Sequence, residues 1–184
     1  KTRCAQMLLS GTASGVIGAC QVARMADVDN ALSLDVGGTS ADVAVVRAGE
    51  PQYGVGEMIG EFPIHIPTVS VTSIGEGGGS IAWVDPHGVL KVGPESAGSN
   101  PGPACYGQGG ERPTITDAFV VSGFLGAMGL GYGEVTMRED LARAAVGELA
   151  AVLSMSIEDT AEAIIKIAVS GMYLEVSKMV SRYG

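Results

Sequence analysis

Apolar positions along this chain change their spacing several times, and each change predicts an element. Val16, Ile17, Cys20 and Ala23, with Arg24 after them, recur at helical spacing, which predicts a helix over roughly 14–26 entered through a Ser/Gly-rich turn. Two apolar runs follow at 31–36 and 41–47, joined by Gly37-Gly38-Thr39-Ser40, and read as a β-hairpin. "RAGEP" marks a second turn. Phe62, Ile64 and Ile66 alternate with polar or proline positions, and Val69, Val71 and Ile74 follow Pro67. That pattern predicts two strands kinked by Pro63 and Pro67. "SIAWVDPHGVLKVG" predicts a second hairpin with Asp85-Pro86-His87-Gly88 at its tip. Residues 93–113 hold too much glycine and proline for a strand or helix and read as one long loop.

The last third is helical in pattern. "TITDAFVVSGFLG" starts a helix near Thr116. Thr136 with Glu139, and Ser156 with Asp159, have capping-box spacing and introduce helices over about 137–153 and 157–182. Ile157, Ala161, Ile164, Ala168, Met172, Val176 and Met179 form one apolar stripe in the last helix, read as core. The order of elements predicts an α/β domain, a mixed β-sheet with flanking helices.

Composition narrows the class. The 184 residues fit a single domain, and 46% hydrophobic against 17% charged residues allow a sizeable core. A formal net charge of -9 leaves no basic patch to displace counterions, which excludes nucleic acid and an anionic membrane surface as expected partners. No apolar run approaches 18 residues. Cys4, Cys20 and Cys105 are odd in number and scattered, as expected of reduced thiols in a cytoplasmic protein, and no CxxC spacing offers zinc a site. The chain opens at Lys1 and stops at Gly184 just past a basic turn. Both ends read as cut from something longer.

The first hairpin carries more chemistry than a hairpin needs. "LSLDVGGTSADVAVV" puts Asp35 on the entering strand and two glycines and two hydroxyls in the turn. Glycine lets backbone N–H groups encircle an anion, and Thr39 and Ser40 add donors. Asp35 at a strand end suits Mg²⁺ held through water. Together they make a cradle for a metal-bound polyphosphate; the alternative is a plain glycine turn with Asp35 satisfying nearby backbone. A second cluster, "SIGEGGGS", ends another apolar run. It is neither a Walker loop, lacking Gly-Lys-Ser/Thr, nor a dinucleotide fingerprint, since a hairpin follows it. An anion nest and a bend of close packing both remain open there. Cys105 has no histidine linked to it by spacing and reads as a loop-packing thiol. His65, Glu57, Glu61 and Trp83 read as structural: a strand histidine, two solvated strand charges and a core tryptophan.

"DVGGTSADV" closely resembles a phosphate-binding turn of the actin/hexokinase-type ATPases, whose domain is ribonuclease H-like. With "LLSGTASGVIGA", "IGEGGGSIAWVD", "VGPESAGSNPGPACYGQGG" and "PTITDA" in order from Leu8 to Ala118, the chain resembles the hydantoinase/oxoprolinase A family. That family includes N-methylhydantoinase A subunits, 5-oxoprolinases and subunits of acetone and acetophenone carboxylases. The resemblance implies an ATP- and Mg²⁺-dependent enzyme that activates an amide or ketone oxygen, working on a small cyclic amide. It also implies a B-type partner subunit and an oligomer in the full-length form. It carries Asp35 over as a catalytic and metal residue, Gly37, Gly38, Thr39 and Ser40 as phosphate-binding, and Gly77, Gly78 and Gly79 as the family's glycine run, with Ser80 beside it. Asp117 matches the family's Thr-Asp-Ala element, either as a catalytic carboxylate or as a helix cap.

Two departures stand out. Ser70 and Thr72 occupy the positions of an Asp-x-His pair common in the family, so whatever ligand or proton relay that pair gives is missing. Glu76 replaces a small residue. The first phosphate turn and the segment expected to support adenosine are also absent from these residues. This chain alone is therefore expected to be inactive, and a non-catalytic scaffold stands as an alternative.

Overall fold

In the computed structural model the described residues are 10–54, 57–59, 62–64, 68–126 and 136–183. Cys4, Glu61 and His65, weighed above, lie outside them, and so does Ile66. The chain divides into two compact units. The first comprises residues 1–35, 42–73 and 176–184; the second comprises 36–41 and 74–175.

The first unit opens with α1 (Ser10–Met25), which starts four residues earlier than the pattern predicts. The strands β1 (Ala31–Val36) and β2 (Ala41–Arg47) stand at the predicted boundaries and are hydrogen-bonded neighbours. β3 (Glu50–Pro51) pairs antiparallel with β2 through Val46 opposite Pro51. Ala48 and Gly49 make that turn with positive φ values of 53° and 71°. Beyond it lie the short pairs β4 (Tyr53–Gly54) with β7 (Thr68–Val69) and β5 (Glu57–Ile59) with β6 (Phe62–Ile64), and β8 (Thr72–Ile74) joins β2. The two strands predicted over 61–74 are thus three shorter ones; Pro63 lies inside β6, paired opposite Met58, and Pro67 lies outside the described residues. Val16, Cys20, Ala44, Val46 and Val69 form the core of this unit. Val16 and Cys20 share one face of α1 and Ala44 and Val46 are alternate residues of β2, the two periodicities that place side chains on a common side, and Val69 joins them from β7.

The second unit is built on the hairpin of β9 (Ser80–Val84) and β10 (Leu90–Ser96), paired antiparallel with Leu90 opposite Val84. At its tip the Asp85 carboxylate accepts from the N–H groups of His87 and Val89. The predicted 93–113 loop therefore begins later, since β10 runs through Ser96. It also contains a short 3-10 turn, Ala104–Tyr106. Trp83 is 37% exposed rather than core. Its indole N–H donates to the carbonyl of Gly93 at 2.8 Å, so the ring lies along the sheet surface with its polar edge engaged.

Three helices complete this part of the chain: α2 (Ile115–Val121), α3 (Glu139–Leu153) and α4 (Ile157–Tyr183). The capping box predicted at Thr136 and Glu139 is not formed. The N-cap is Arg138 and makes no side-chain cap; it pairs with Asp140 instead. At α4 the predicted partners do meet, with Ser156 Oγ donating to Asp159 and accepting from its N–H. Within the second unit the stripe of α4 buries Ala161, Ile164 and Ala168 in a core with Ala142, Val146, Ile115, Val120 and Cys105.

Candidate functional site

The turn 37–40 is closed by the Gly37 N–H donating to the Ser40 carbonyl at 2.9 Å. It is stitched to the run 77–79 by two further bonds, from Gly78 N–H to the Gly37 carbonyl (2.9 Å) and from Gly79 N–H to the Gly38 carbonyl (2.6 Å). The glycines are what permit this. A Cβ on Gly77 would lie 2.5 Å from the Ser40 nitrogen and the Thr39 carbonyl carbon, and one on Gly79 would lie 2.8 Å from the Gly38 oxygen. Two main chains therefore touch with nothing between them. Among the described residues the N–H groups of Gly38 and Thr39 and the hydroxyls of Thr39 and Ser40 have no protein acceptor. Such clustered donors, on a largely exposed turn, suit an anion. The sequence left the 75–79 cluster open between anion nest and close-packed bend; close packing is what its contacts display.

In the first unit Asp35, exposed near the end of β1, lines a small cleft with Thr12, Ser33 and Asp42. Asp42 accepts from Thr12 Oγ1 at 3.3 Å and from Ser73 Oγ at 2.5 Å. Carboxylate and hydroxyl oxygens are the donors a hard cation prefers, so this set fits Mg²⁺. Among the described residues no three His, Cys, Asp or Glu side chains converge. An ion here would keep water or ligand oxygens in most positions, as Mg²⁺ does. Asp42 was missed in the sequence reading. Its signal was the second acid of "DVGGTSADV", at the first turn of the leaving strand.

Asp117 is fully buried. It is the third residue of α2 in a complete capping box with Thr114, whose hydroxyl donates to it at 2.8 Å and whose N–H donates at 2.9 Å. The same carboxylate accepts from the N–H groups of Ala104 (3.2 Å) and Cys105 (2.7 Å). It thereby ties the 104–106 turn to the start of α2. These contacts favour the capping reading over a catalytic one. The Cys105 thiol is buried beside it, and desolvation first, then the Asp117 charge, push its pKa far up, which leaves an inert thiol.

Glu76 lies against α4 where Gly171 leaves room. A Cβ at 171 would overlap its carboxylate, and its Oε2 is buried with no hydrogen-bond partner among the described residues. Burial, then the nearby Glu175 carboxylate, raise its pKa, opposed in part by a backbone bond from Met172. Ser70 is buried and Thr72 sits on β8, so hydroxyls stand where the resemblance expects an acid and a histidine.

The second unit also holds a cleft of about 490 Å³ against the glycine turn. Val36, Gly37, Gly38 and Gly78 form one wall, and Tyr106, Thr116, Phe119, Phe124 and Leu125 form the other.

An α/β chain whose paired glycine turns leave backbone and hydroxyl donors unengaged among the described residues defines the class. The Hydantoinase/oxoprolinase family model matches residues 1–184, and the chain belongs to that family. It is 37% identical over 168 residues to the caprolactamase subunit alpha of Pseudomonas jessenii, covering 91% of this chain and 24% of that one. It is 32% identical over 183 residues to the acetone carboxylase beta subunit of Xanthobacter autotrophicus, covering 98% and 25%. The nucleotide-free acetone carboxylase structure, from work on ATP-dependent acetone carboxylation, superposes with a TM-score of 0.82 at 32% identity, over 92% of this chain and 24% of that chain. The ATP-dependent caprolactamase structure from P. jessenii superposes with a TM-score of 0.77 at 37% identity, over 87% and 23%. The chain thus spans about a quarter of the length of these relatives. Among the described residues no helix is long and apolar enough to cross a membrane.

Proposed function

We propose that the full-length protein is an ATP-dependent hydrolase of small cyclic amides, of the hydantoinase/5-oxoprolinase type, and that this chain supplies one of its phosphate-binding turns. The observation that carries this is the turn 37–40, held in shape by 77–79 while the Gly38 and Thr39 N–H groups and the Thr39 and Ser40 hydroxyls stay unengaged among the described residues. In this reading those groups hold phosphate oxygens, and Asp35, with Asp42 near it, holds Mg²⁺ through water. Mg-ATP, when bound, would supply an electrophilic phosphoryl group to the amide oxygen, ADP leaving with the bonding electrons. Water would then add to the activated carbon, the ring nitrogen would leave with its bonding pair and take a proton, and hydrolysis would release the phosphoryl group as phosphate. Asp117 acts by position, keeping the 104–106 turn on α2. The fold is then of the actin/hexokinase, ribonuclease H-like kind. A B-type subunit is the expected partner, in line with relatives named as subunits.

A second reading is an ATP-dependent ketone carboxylase subunit, favoured by the superposition on acetone carboxylase. The same turn serves both reactions. The test is ATP turnover by the full-length protein with hydantoins or lactams, and separately with ketones plus bicarbonate. Asp35→Asn is expected to lower ATP turnover at least roughly 100-fold with the fold intact, in the range seen when a charge-stabilising group is removed. Unchanged turnover removes Asp35 from the chemistry, and an absence of Mg-ATP binding by the wild type leaves the scaffold reading.

A further inference from the structure

The cleft beside the glycine turn has two walls of opposite character. On one side is bare backbone from Gly37, Gly38 and Gly78. On the other, α2 presents Thr116 and Phe119 three residues apart on one face. The helix then ends at Ser122, and Gly123, at φ 74°, turns the chain back, so that the N–H groups of Phe124 and Leu125 both donate to the Phe119 carbonyl. That reversal sets the Phe124 ring edge-on to Phe119, centroids 6.0 Å apart. Tyr106 closes the wall from the 3-10 turn that Asp117 holds in place. Phe124 remains 74% exposed, an aromatic surface with nothing packed over most of it among the described residues.

The polar side chains lining the cleft are the hydroxyls of Thr116 and Tyr106, and that of Thr116 already donates to the Gly78 carbonyl at 2.8 Å. Among the described residues this lining offers no side-chain amide or charge to read the ring nitrogens of a purine. It suits a hydrocarbon ring, and its volume lies in the range of small-molecule sites. We propose that this cleft takes the aryl or alicyclic portion of the carbonyl substrate. Its oxygen then faces the Gly37–Gly38 rim, and Phe119, Phe124, Leu125 and Tyr106 set a preference for apolar over polar substrates. This rests on the reading of 37–40 as the phosphate turn, since only then does the rim carry the group the oxygen must meet.

The experiment is calorimetric titration of the full-length protein with 5-phenylhydantoin, with unsubstituted hydantoin, and separately with Mg-ADP. Wild type is expected to bind 5-phenylhydantoin roughly tenfold more tightly than hydantoin. Phe124→Ser, at an exposed position, is expected to erase most of that preference, by about five- to tenfold, with hydantoin and Mg-ADP affinities unchanged. Phe124→Leu is expected to keep it within about threefold, because bulk and apolarity survive. Equal binding of the two hydantoins by wild type, or a preference untouched in Phe124→Ser, overturns the proposal. Loss of Mg-ADP binding in that variant overturns it too, by giving the cleft to the nucleotide. Absence of Mg-ADP binding by wild type with the phenyl preference intact overturns the phosphate-turn reading and supports the cleft as a ring site.

Discussion

Residues 37–40 with 77–79 and residues 97–113 are both glycine-rich, yet glycine does different work in each. In the turn pair no glycine is among those with positive φ; what matters is the missing Cβ, because Gly77 and Gly79 sit against main-chain atoms. In the loop, Gly98, Gly102, Gly107 and Gly109 have φ between 62° and 93°, a region that charges other residues in strain, and Gly110 shares the packing reason, since a Cβ there would overlap the Gly102 carbonyl oxygen. The donors differ as well. The loop engages its N–H groups within the protein, from Gly102 to the Ala97 carbonyl, from Tyr106 to that of Pro103, and from Ala104 and Cys105 to Asp117 on α2. Among the described residues the turn leaves several of its own unengaged. Glycine that brings chains together and leaves donors unengaged makes a site; glycine that bends one chain onto itself makes a support.

Gly77→Ala is the strongest way to break that comparison. Its Cβ meets immovable backbone, so a destabilisation of about 3 kcal/mol is expected by urea unfolding, with Mg-ADP binding lost. Two controls sharpen it. Gly38→Ala has open space and no positive φ, so stability is expected to stay within about 0.5 kcal/mol while Mg-ADP binds more weakly. Gly98→Ala has open space but a φ of 62°, so about 1 kcal/mol is expected to be lost with Mg-ADP binding unaltered. If Gly77→Ala were neutral, close packing would not be the reason for the glycine run.

Asp117→Asn tests the support side. Replacing a buried carboxylate that accepts four hydrogen bonds is expected to cost about 2–3 kcal/mol in thermal unfolding. A catalytic role would instead leave stability near wild type and abolish turnover.

Glu76 gives the smallest effect. Its carboxyl titrates above the ordinary carboxylate range, so the folded state binds that proton more tightly than the unfolded one. The stabilisation is present below the unfolded-state value and is lost as pH rises through the raised one. Glu76→Gln is therefore expected to raise the melting temperature relative to wild type near pH 8 and to leave it nearly equal near pH 4.5. The same offset at both pH values would remove charge burial as the cause.

Much of the fold is legible in the sequence alone. The boundaries of β1 and β2, the Asp85 hairpin tip, the Ser156 cap and the buried stripe of α4 follow from local periodicity and turn chemistry, which act between residues close in sequence. The failures have the same logic reversed. Thr136 and Glu139 have the spacing of a capping box, but Arg138 takes the cap position and turns to Asp140 instead. Trp83 has apolar neighbours in sequence, yet sits on the hairpin surface because Gly93 offers its indole N–H an acceptor.

The sequence by itself determined the class, through the order of its glycine motifs, and it placed Asp35 and the turn 37–40 as candidates. The tertiary structure alone decided that 77–79 braces that turn, that Asp117 anchors the 104–106 turn, and that Tyr106, Phe119 and Phe124 come to face the glycine backbone. The reason is separation along the chain. Residues 38 and 79 are joined by a 2.6 Å hydrogen bond across some forty intervening positions, and no local pattern encodes which distant backbone will arrive there.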